Sequence, residues 1–414
     1  MSSTNSNQDG SATATQFDFN ALTPEFLNDP LPFMMKGLEE FPVVDHAPGL
    51  EHCYSIFRYD DVRNSLLNWQ TYSSEPDAEL EALNLGRATE NFILMDPPRH
   101  TRLRSLANRG FMPAVIRNFI PRAERVVKER LDYALEHDEI DLVDDFSAQI
   151  TVGMISGILG LPIEDWSIIR DWTNVIQRNT MCSLWLKEWD NERAASTARV
   201  TGEMADYFHD YLQQRKKNPQ EGDIISVLMT ADAKGERFTD EEIESTAMLL
   251  LLAGNETTTN LITNFIRCMV RNPQQFELLK QQPDLVDKAI EETLRLEPSL
   301  RMDARIVTEP VTLHGVDIEA GAQLATWILA ANRDPRVFER PNEFDMQREA
   351  KRHLSFAIGP HTCIGAPLAR MESRIAARAI AERVRGIELV GDPQMSDNGN
   401  LNNVLHQRAR LVAA

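Results

Sequence analysis

The chain has 414 residues, with 63 acidic against 43 basic side chains and a formal charge of −20, which excludes a general binder of nucleic acid or of an anionic membrane surface. Its four cysteines, Cys53, Cys182, Cys268 and Cys363, form no CxxC pair; that excludes a zinc-finger framework and fits a reducing, cytoplasmic compartment. The best apolar run, AMLLLLAG at 247–254, falls far short of a membrane span, so no membrane anchor is expected.

Residues 1–19 begin with MSSTNSNQDGSATATQ, small and polar, and are expected to form a disordered tail without the basic and apolar regions of a secretory signal. No composition break divides residues 20–414, which are expected to form one helix-rich α+β unit. HCYSIFRY (52–59) reads as a short strand. In DPPRHTRLR (96–104), His100 and Arg104 stand one helical turn apart. A cationic pair on one face is unfavourable alone and suggests an anion between them, although a solvated basic face is the commoner reason.

Helical patterning covers 114–136, 140–159, 163–178 and 190–216, with RKKNPQEGD (215–223) as a polar loop. The next helix, 240–268, opens with a capping box of Thr239 and Glu242. Its middle, GNETTTN, holds Gly254, Glu256 and three consecutive threonines, all weak helix formers or in need of a polar partner. Two readings stand: a helix with back-bonded hydroxyls on a polar face, or a local opening beside a bound group. Helices over 273–281 and 284–296 follow; in the latter, EETLRLEP gives Arg295 an i,i+3 partner in Glu292 and an i,i+4 partner in Glu291. ARIVTEPVTLHGVDI (304–318), turning at His314-Gly315, and QLATWIL (323–329) read as strands. Finally FAIGPHTCIGAP (356–367) sets Cys363 in a glycine-bracketed loop before a helix over 366–385. Free amides and the helix dipole favour a thiolate there.

In this order the segments resemble the cytochrome P-450 family of haem-thiolate monooxygenases. FAIGPHTCIG matches the family's Phe-x-x-Gly-x-His-x-Cys-x-Gly loop, AGNETT its oxygen-binding helix, ETLR its Glu-x-x-Arg motif and ANRDPRVFERPNEFD (331–345) the segment before the cysteine loop. Ala357 departs from the usual glycine, a small change the loop is expected to tolerate. The resemblance implies a mainly α (α+β) fold of the cytochrome P-450 type: a helix-rich single unit with small β-sheets, and haem b between the long central helix and the cysteine-loop helix.

Residue by residue, it implies that Cys363 ligates the haem iron, with Phe356 beside the sulfur and Gly359 and Gly365 allowing close backbone approach. His100, Arg104, Arg305 and His361 would meet the propionates, and Ala253 and Gly254 would leave room for O2. Glu256 and Thr257 would be the acid and alcohol that pass protons, and Glu292–Arg295 a buried structural ion pair. Substrate contacts are expected from Leu85, Phe92, Ile93, Leu249, Leu252, Arg301, Met302, Val404 and Leu405, with a bridge to Asp303 the simpler reading of Arg301. These are mainly apolar, implying a terpenoid, fatty acid or steroid-like substrate. Electrons would come from a ferredoxin and its NAD(P)H-dependent reductase, steered by Lys351, Arg352, Arg370 and Arg102. The alternatives on the same fold are a peroxide-driven peroxygenase, which typically lacks the acid–alcohol pair, and a non-catalytic haem-binding protein.

Overall fold

The computed structural model describes residue 17 and residues 19–47, 52–76, 91–180, 191–233 and 235–414. The principal helices are α1 (Leu31–Glu39), α2 (Arg99–Ala107), α3 (Ile120–Glu136), α4 (Ala148–Leu159), α5 (Trp166–Thr180), α6 (Asn191–Lys217), α7 (Asp240–Arg271), α8 (Val286–Leu296) and α9 (Ala366–Arg383). Most patterned segments from 114 onward became helices within a few residues of their expected ends; the exceptions are 114–136, which breaks after Arg117 into two helices, and 140–159, whose first two residues form a strand and whose α-helix begins at Ala148. Leu142–Leu159 is apolar and long enough to cross a membrane, but 78% of it is buried inside the fold.

Helix α7 organises the site. Its capping box forms as the sequence predicts: the Glu242 amide donates to Thr239 Oγ1 at 3.2 Å and the Thr239 amide to Glu242 Oε2 at 2.8 Å. Asp240, Glu241 and Glu242 place negative charge on the positive end of the dipole. Through GNETTTN the helix stays continuous. Its hydroxyls bond back one turn, Thr257 Oγ1 to the Ala253 carbonyl at 2.6 Å and Thr259 Oγ1 to that of Asn255 at 3.0 Å. Of the two readings, back-bonding is the one realised.

A five-stranded sheet runs in the order β1 (Val43–Asp45), β2 (Cys53–Ile56), β8 (Gln323–Thr326), β5 (Asp303–Val307), β3 (Tyr72–Ser73). Only β2 and β8 are parallel. The predicted turn closes a hairpin of β6 (Val311–Leu313) and β7 (Val316–Ile318), with His314 and Gly315 at φ 51° and 84°. A third sheet pairs β9 (Val384–Met395) with β10 (Val404–Ala413) and β10 with β4 (Ile140–Asp141); its long hairpin was not legible in the sequence.

Two expectations are corrected. The tail does not extend to residue 19: Phe17 and Phe19 are buried, and Phe19 packs edge-on against Phe26, Phe57 and Trp327. RKKNPQEGD is not simply a polar loop either, because Arg215 is 3% exposed and donates to Asp223 at 2.6 Å. Cys53 and Cys268 pack in the interior as small hydrophobes; Cys182 lies outside the described residues.

Candidate active site

The cysteine loop is shaped by backbone constraints. Gly359 takes φ 74°, and a Cβ there would meet the Leu66 carbonyl oxygen at 2.8 Å, so only glycine fits. Ala357 is also left-handed, at φ 50°; a glycine preference at this position therefore has a steric origin, and alanine carries the strain. The Cys363 amide donates to the Phe356 carbonyl at 2.8 Å, which turns the sulfur toward α7.

Cys363 is exposed, yet densely surrounded by protein, because its side chain opens into an internal cavity of ≈ 240 Å³ between the loop and α7. Ala253, in the middle of α7, is exposed for the same reason. Burial pushes the thiol pKa up. The amides of Gly365 and Ala366 and the cations Arg104 and Arg370 pull the other way. A Cβ on Gly365 would stand 3.9 Å from the sulfur.

A cationic rim borders this cavity. Arg104, Arg305 and His361 line it, and the His100 ring lies 4.3 Å from that of His361. Among the described residues, both ring nitrogens of the buried His100 and Nε2 of His361 find no hydrogen-bond partner. Burial and then His100 hold His361 down to about 4, and burial and then Arg104 lower His100. Arg104 donates to the Thr362 carbonyl and to Asn108 Oδ1, while Arg305 meets Asp303 at 2.9 Å. A sulfur in an apolar slot, with unsatisfied donors and cations along one rim, fits a flat apolar macrocycle bearing carboxylates.

On the α7 side the acid and the alcohol diverge. Thr257 lines the Cys363 cavity, whereas Glu256 turns into a neighbouring cavity of ≈ 200 Å³ and accepts from Asn403 Nδ2. Gly254 does not line the Cys363 cavity: a Cβ on it would stand 2.9 Å from Ile155 Cδ1, so its small size serves the packing of α7 on α4.

Of the expected substrate contacts, Phe92, Ile93 and Leu249 line the cavity. Leu85 lies outside the described residues. The others are corrections. Leu252 packs into the core beside α4–α6. Met302 is buried with Phe26 and Trp327. Val404 and Leu405 line the Glu256 cavity, because β10 passes on that side of α7. Arg301 donates to Asn402 Oδ1 at 3.2 Å and makes no bridge to Asp303, which Arg305 has taken. Asp303 and Arg305, two apart in β5 (Asp303–Val307), share a face of the strand and pair, whereas Arg301 precedes the strand. Sequence reasoning missed Leu250, Thr258, Leu261 and Leu300 on the wall; the helical period running from Ala253 and Thr257 could have found the first three.

Behind the loop, Arg295 donates twice to Glu292, both at 2.8 Å, at 2% and 6% side-chain exposure. Glu291 pairs with Arg370 (2.6 Å) and His353 (3.1 Å) rather than with Arg295. Arg370 also stacks over Phe356 at 4.5 Å. Arg102 is committed to Glu242 at the start of α7 and does not add to a patch with Lys351, Arg352 and Arg370.

Comparison with known proteins agrees with this geometry. The family model described as Cytochrome P450 matches residues 26–408. Cytochrome P450 109 of Bacillus spizizenii is 36% identical over 363 residues, 87% of this chain and 85% of its own. Cyclomarin C epoxidase of Salinispora arenicola is 34% identical, covering 86% and 89%. A cytochrome P450 of Bacillus megaterium in complex with corticosterone superposes with a TM-score of 0.81 at 31% identity, covering 93% of this chain and 99% of its own. A P450 in complex with an acyl carrier protein ligated to hexadec-9Z-enoic acid gives 0.85 at 28% identity, covering 94% and 100%.

Proposed function

The chain belongs to the cytochrome P450 family of monooxygenases, and on that premise we propose that Cys363 would supply the thiolate that binds the iron of a haem b between α7 and the cysteine loop. The supporting observation is the pairing of a cavity-facing sulfur with the unsatisfied His100 and His361 nitrogens at the cavity rim. Haem ligated in this way supplies O2 activation, the thiolate favouring O–O cleavage.

The chain's own residues do the rest. His100, Arg104, Arg305 and His361 bind the propionates. The Gly365 and Ala366 amides offset part of the burial that pushes the thiol pKa up, and Phe356 limits the sulfur's contact with water. Glu256 gathers protons in the second cavity, and the Thr257 hydroxyl, on the wall of the first, orients the final transfer. The presence of both groups favours O2-driven over peroxide-driven turnover.

The substrate is an apolar molecule of fatty-acid, terpenoid or steroid size, lying against Phe92, Ile93 and Leu249. The crystallised relatives bound to corticosterone and to an acylated carrier protein support this class. A cytoplasmic ferredoxin, fed by its reductase, supplies electrons at a face carrying Lys351 and Arg352, where Arg370 is already paired with Glu291. A spectral titration with fatty acids and steroids, followed by turnover under isotope-labelled O2, tests the reading. One labelled oxygen atom in the product is expected; turnover that incorporates only oxygen from peroxide contradicts it.

A further inference from the structure

At the C-terminal end of α7, beyond the stretch that faces Cys363, four arginines gather around one glutamate. Arg267, Arg271, Arg301 and Arg333 line a cavity of ≈ 670 Å³ together with Glu297. Arg267, Arg301 and Arg333 are 6%, 2% and 6% exposed, and Arg271 is about half exposed. Arginine keeps its charge when buried, so three buried guanidiniums call for anionic partners.

Glu297 supplies one negative charge against four guanidiniums; burial raises its carboxyl pKa, but Arg333, Asn402, Arg271 and Arg267 bring it below the ordinary value. Its nearest approaches to Arg271 and Arg333 are long, 3.4 and 3.7 Å. Its other oxygen accepts from Asn402 Nδ2 at 2.7 Å. The buried guanidinium ends also reach neutral acceptors: Arg301 to Asn402 Oδ1 at 3.2 Å, Arg267 to Asn264 Oδ1 at 3.3 Å, and Arg333 to the Leu296 carbonyl at 2.5 Å. Among the described residues, the buried Nε–H groups of Arg267, Arg301 and Arg333 have no acceptor. Asp29 and Asp392 also line the cavity, but both are exposed, and Asp29 already accepts from the Leu31 amide at 3.2 Å. Burial lowers the Arg301 pKa to about 10 and lowers those of Arg267 and Arg333, in keeping with under-compensated charge.

We propose that this cavity is an anion site, taking a compact oxyanion of the phosphate class against the guanidinium groups of Arg267, Arg271, Arg301 and Arg333 that line it. Occupancy ties the end of α7 to the segment after α8 and to residues 28–31, all of which line the cavity. The same chemistry serves free phosphate and the phosphate of a monoester.

The test is thermal unfolding of the haem-loaded protein with sodium phosphate replacing chloride at constant ionic strength, in parallel with sodium glycerol 2-phosphate. A saturating rise in Tm is expected. Arg271→Gln, at the exposed edge, should weaken half-saturation about tenfold, and Glu297→Gln, which removes the competing carboxylate, should tighten it about tenfold. Saturation by both anions identifies a phosphate-group site, and saturation by inorganic phosphate alone identifies a free-phosphate site. A rise that is linear in concentration and equal in all three proteins is a general salt effect and overturns the proposal, as does no rise in the unaltered protein.

Discussion

Glu292→Gln changes one buried charge and almost no volume. The Glu292 carboxylate accepts from Arg295 Nε and Nη2, both at 2.8 Å, from Arg348 Nε at 3.0 Å and from the Asp345 amide at 3.0 Å. Arg295 in turn holds the carbonyls of Asn332, Pro341 and Glu343 at 3.0, 2.6 and 3.1 Å. The carboxylate therefore neutralises two guanidiniums that fix the 332–348 segment under the cysteine loop. Breaking a buried pair by removing one charge costs about 3–5 kcal/mol, because the partner's charge stays behind. Against a typical stability of about 5–15 kcal/mol, that is a large fraction of the total. Glu343→Gln is the control: its pair with Arg340 is 2.9 Å long, but the two side chains are 61% and 54% exposed, and such pairs contribute about 0–1 kcal/mol. Urea unfolding of the haem-loaded proteins, followed by far-UV circular dichroism, compares the two. A loss below about 1 kcal/mol for Glu292→Gln, or equal losses for both variants, refutes the argument from burial.

Three further expectations concern separate parts of the molecule. Ala357→Gly relieves a left-handed alanine at φ 50°; the relief of about 1–2 kcal/mol exceeds the entropic cost of glycine, about 0.5–1 kcal/mol, so urea unfolding should show a small gain and not a loss. Burial holds His46 down to about 4 from 6.5, against the Phe19 carbonyl and Asp45, which raise it. The unfolded chain therefore takes this proton first, and the resulting stability loss develops as pH falls from 6.5 to about 4 and is complete below that. His46→Gln should flatten the stability–pH curve in that window, and an unchanged slope contradicts the assignment. Thr257→Ala should keep consuming reductant while releasing peroxide in place of product, measured as the product-to-reductant ratio; unchanged coupling sinks the role given to that hydroxyl.

What was legible in the sequence was local. The capping box of α7, the His314-Gly315 turn and the cysteine loop each depend on residues a few positions apart. The i,i+3 pair Glu292–Arg295 was legible for the same reason, whereas Glu291 found Arg370, 79 residues along the chain. Arg301, Met302, Val404 and Leu405 were misplaced because the side of α7 on which a strand passes is a tertiary fact. The β9–β10 hairpin escaped notice because buried Gln407 interrupts the apolar positions Val404, Ala409 and Leu411, with Arg408 and Arg410 between them. The arginine cavity draws Arg267 and Arg271 from α7 and Arg301 and Arg333 from two later segments, and no local pattern announces it.

The most direct test of the central claim is the carbon monoxide difference spectrum of the reduced protein, recorded beside Cys363→Ser. Thiolate ligation by Cys363 predicts the long-wavelength Soret band that gives the family its name, and its loss in the variant while haem is still bound. A short-wavelength band in fresh, intact unaltered protein, or a long-wavelength band that survives in Cys363→Ser, contradicts the assignment of Cys363 as the iron ligand.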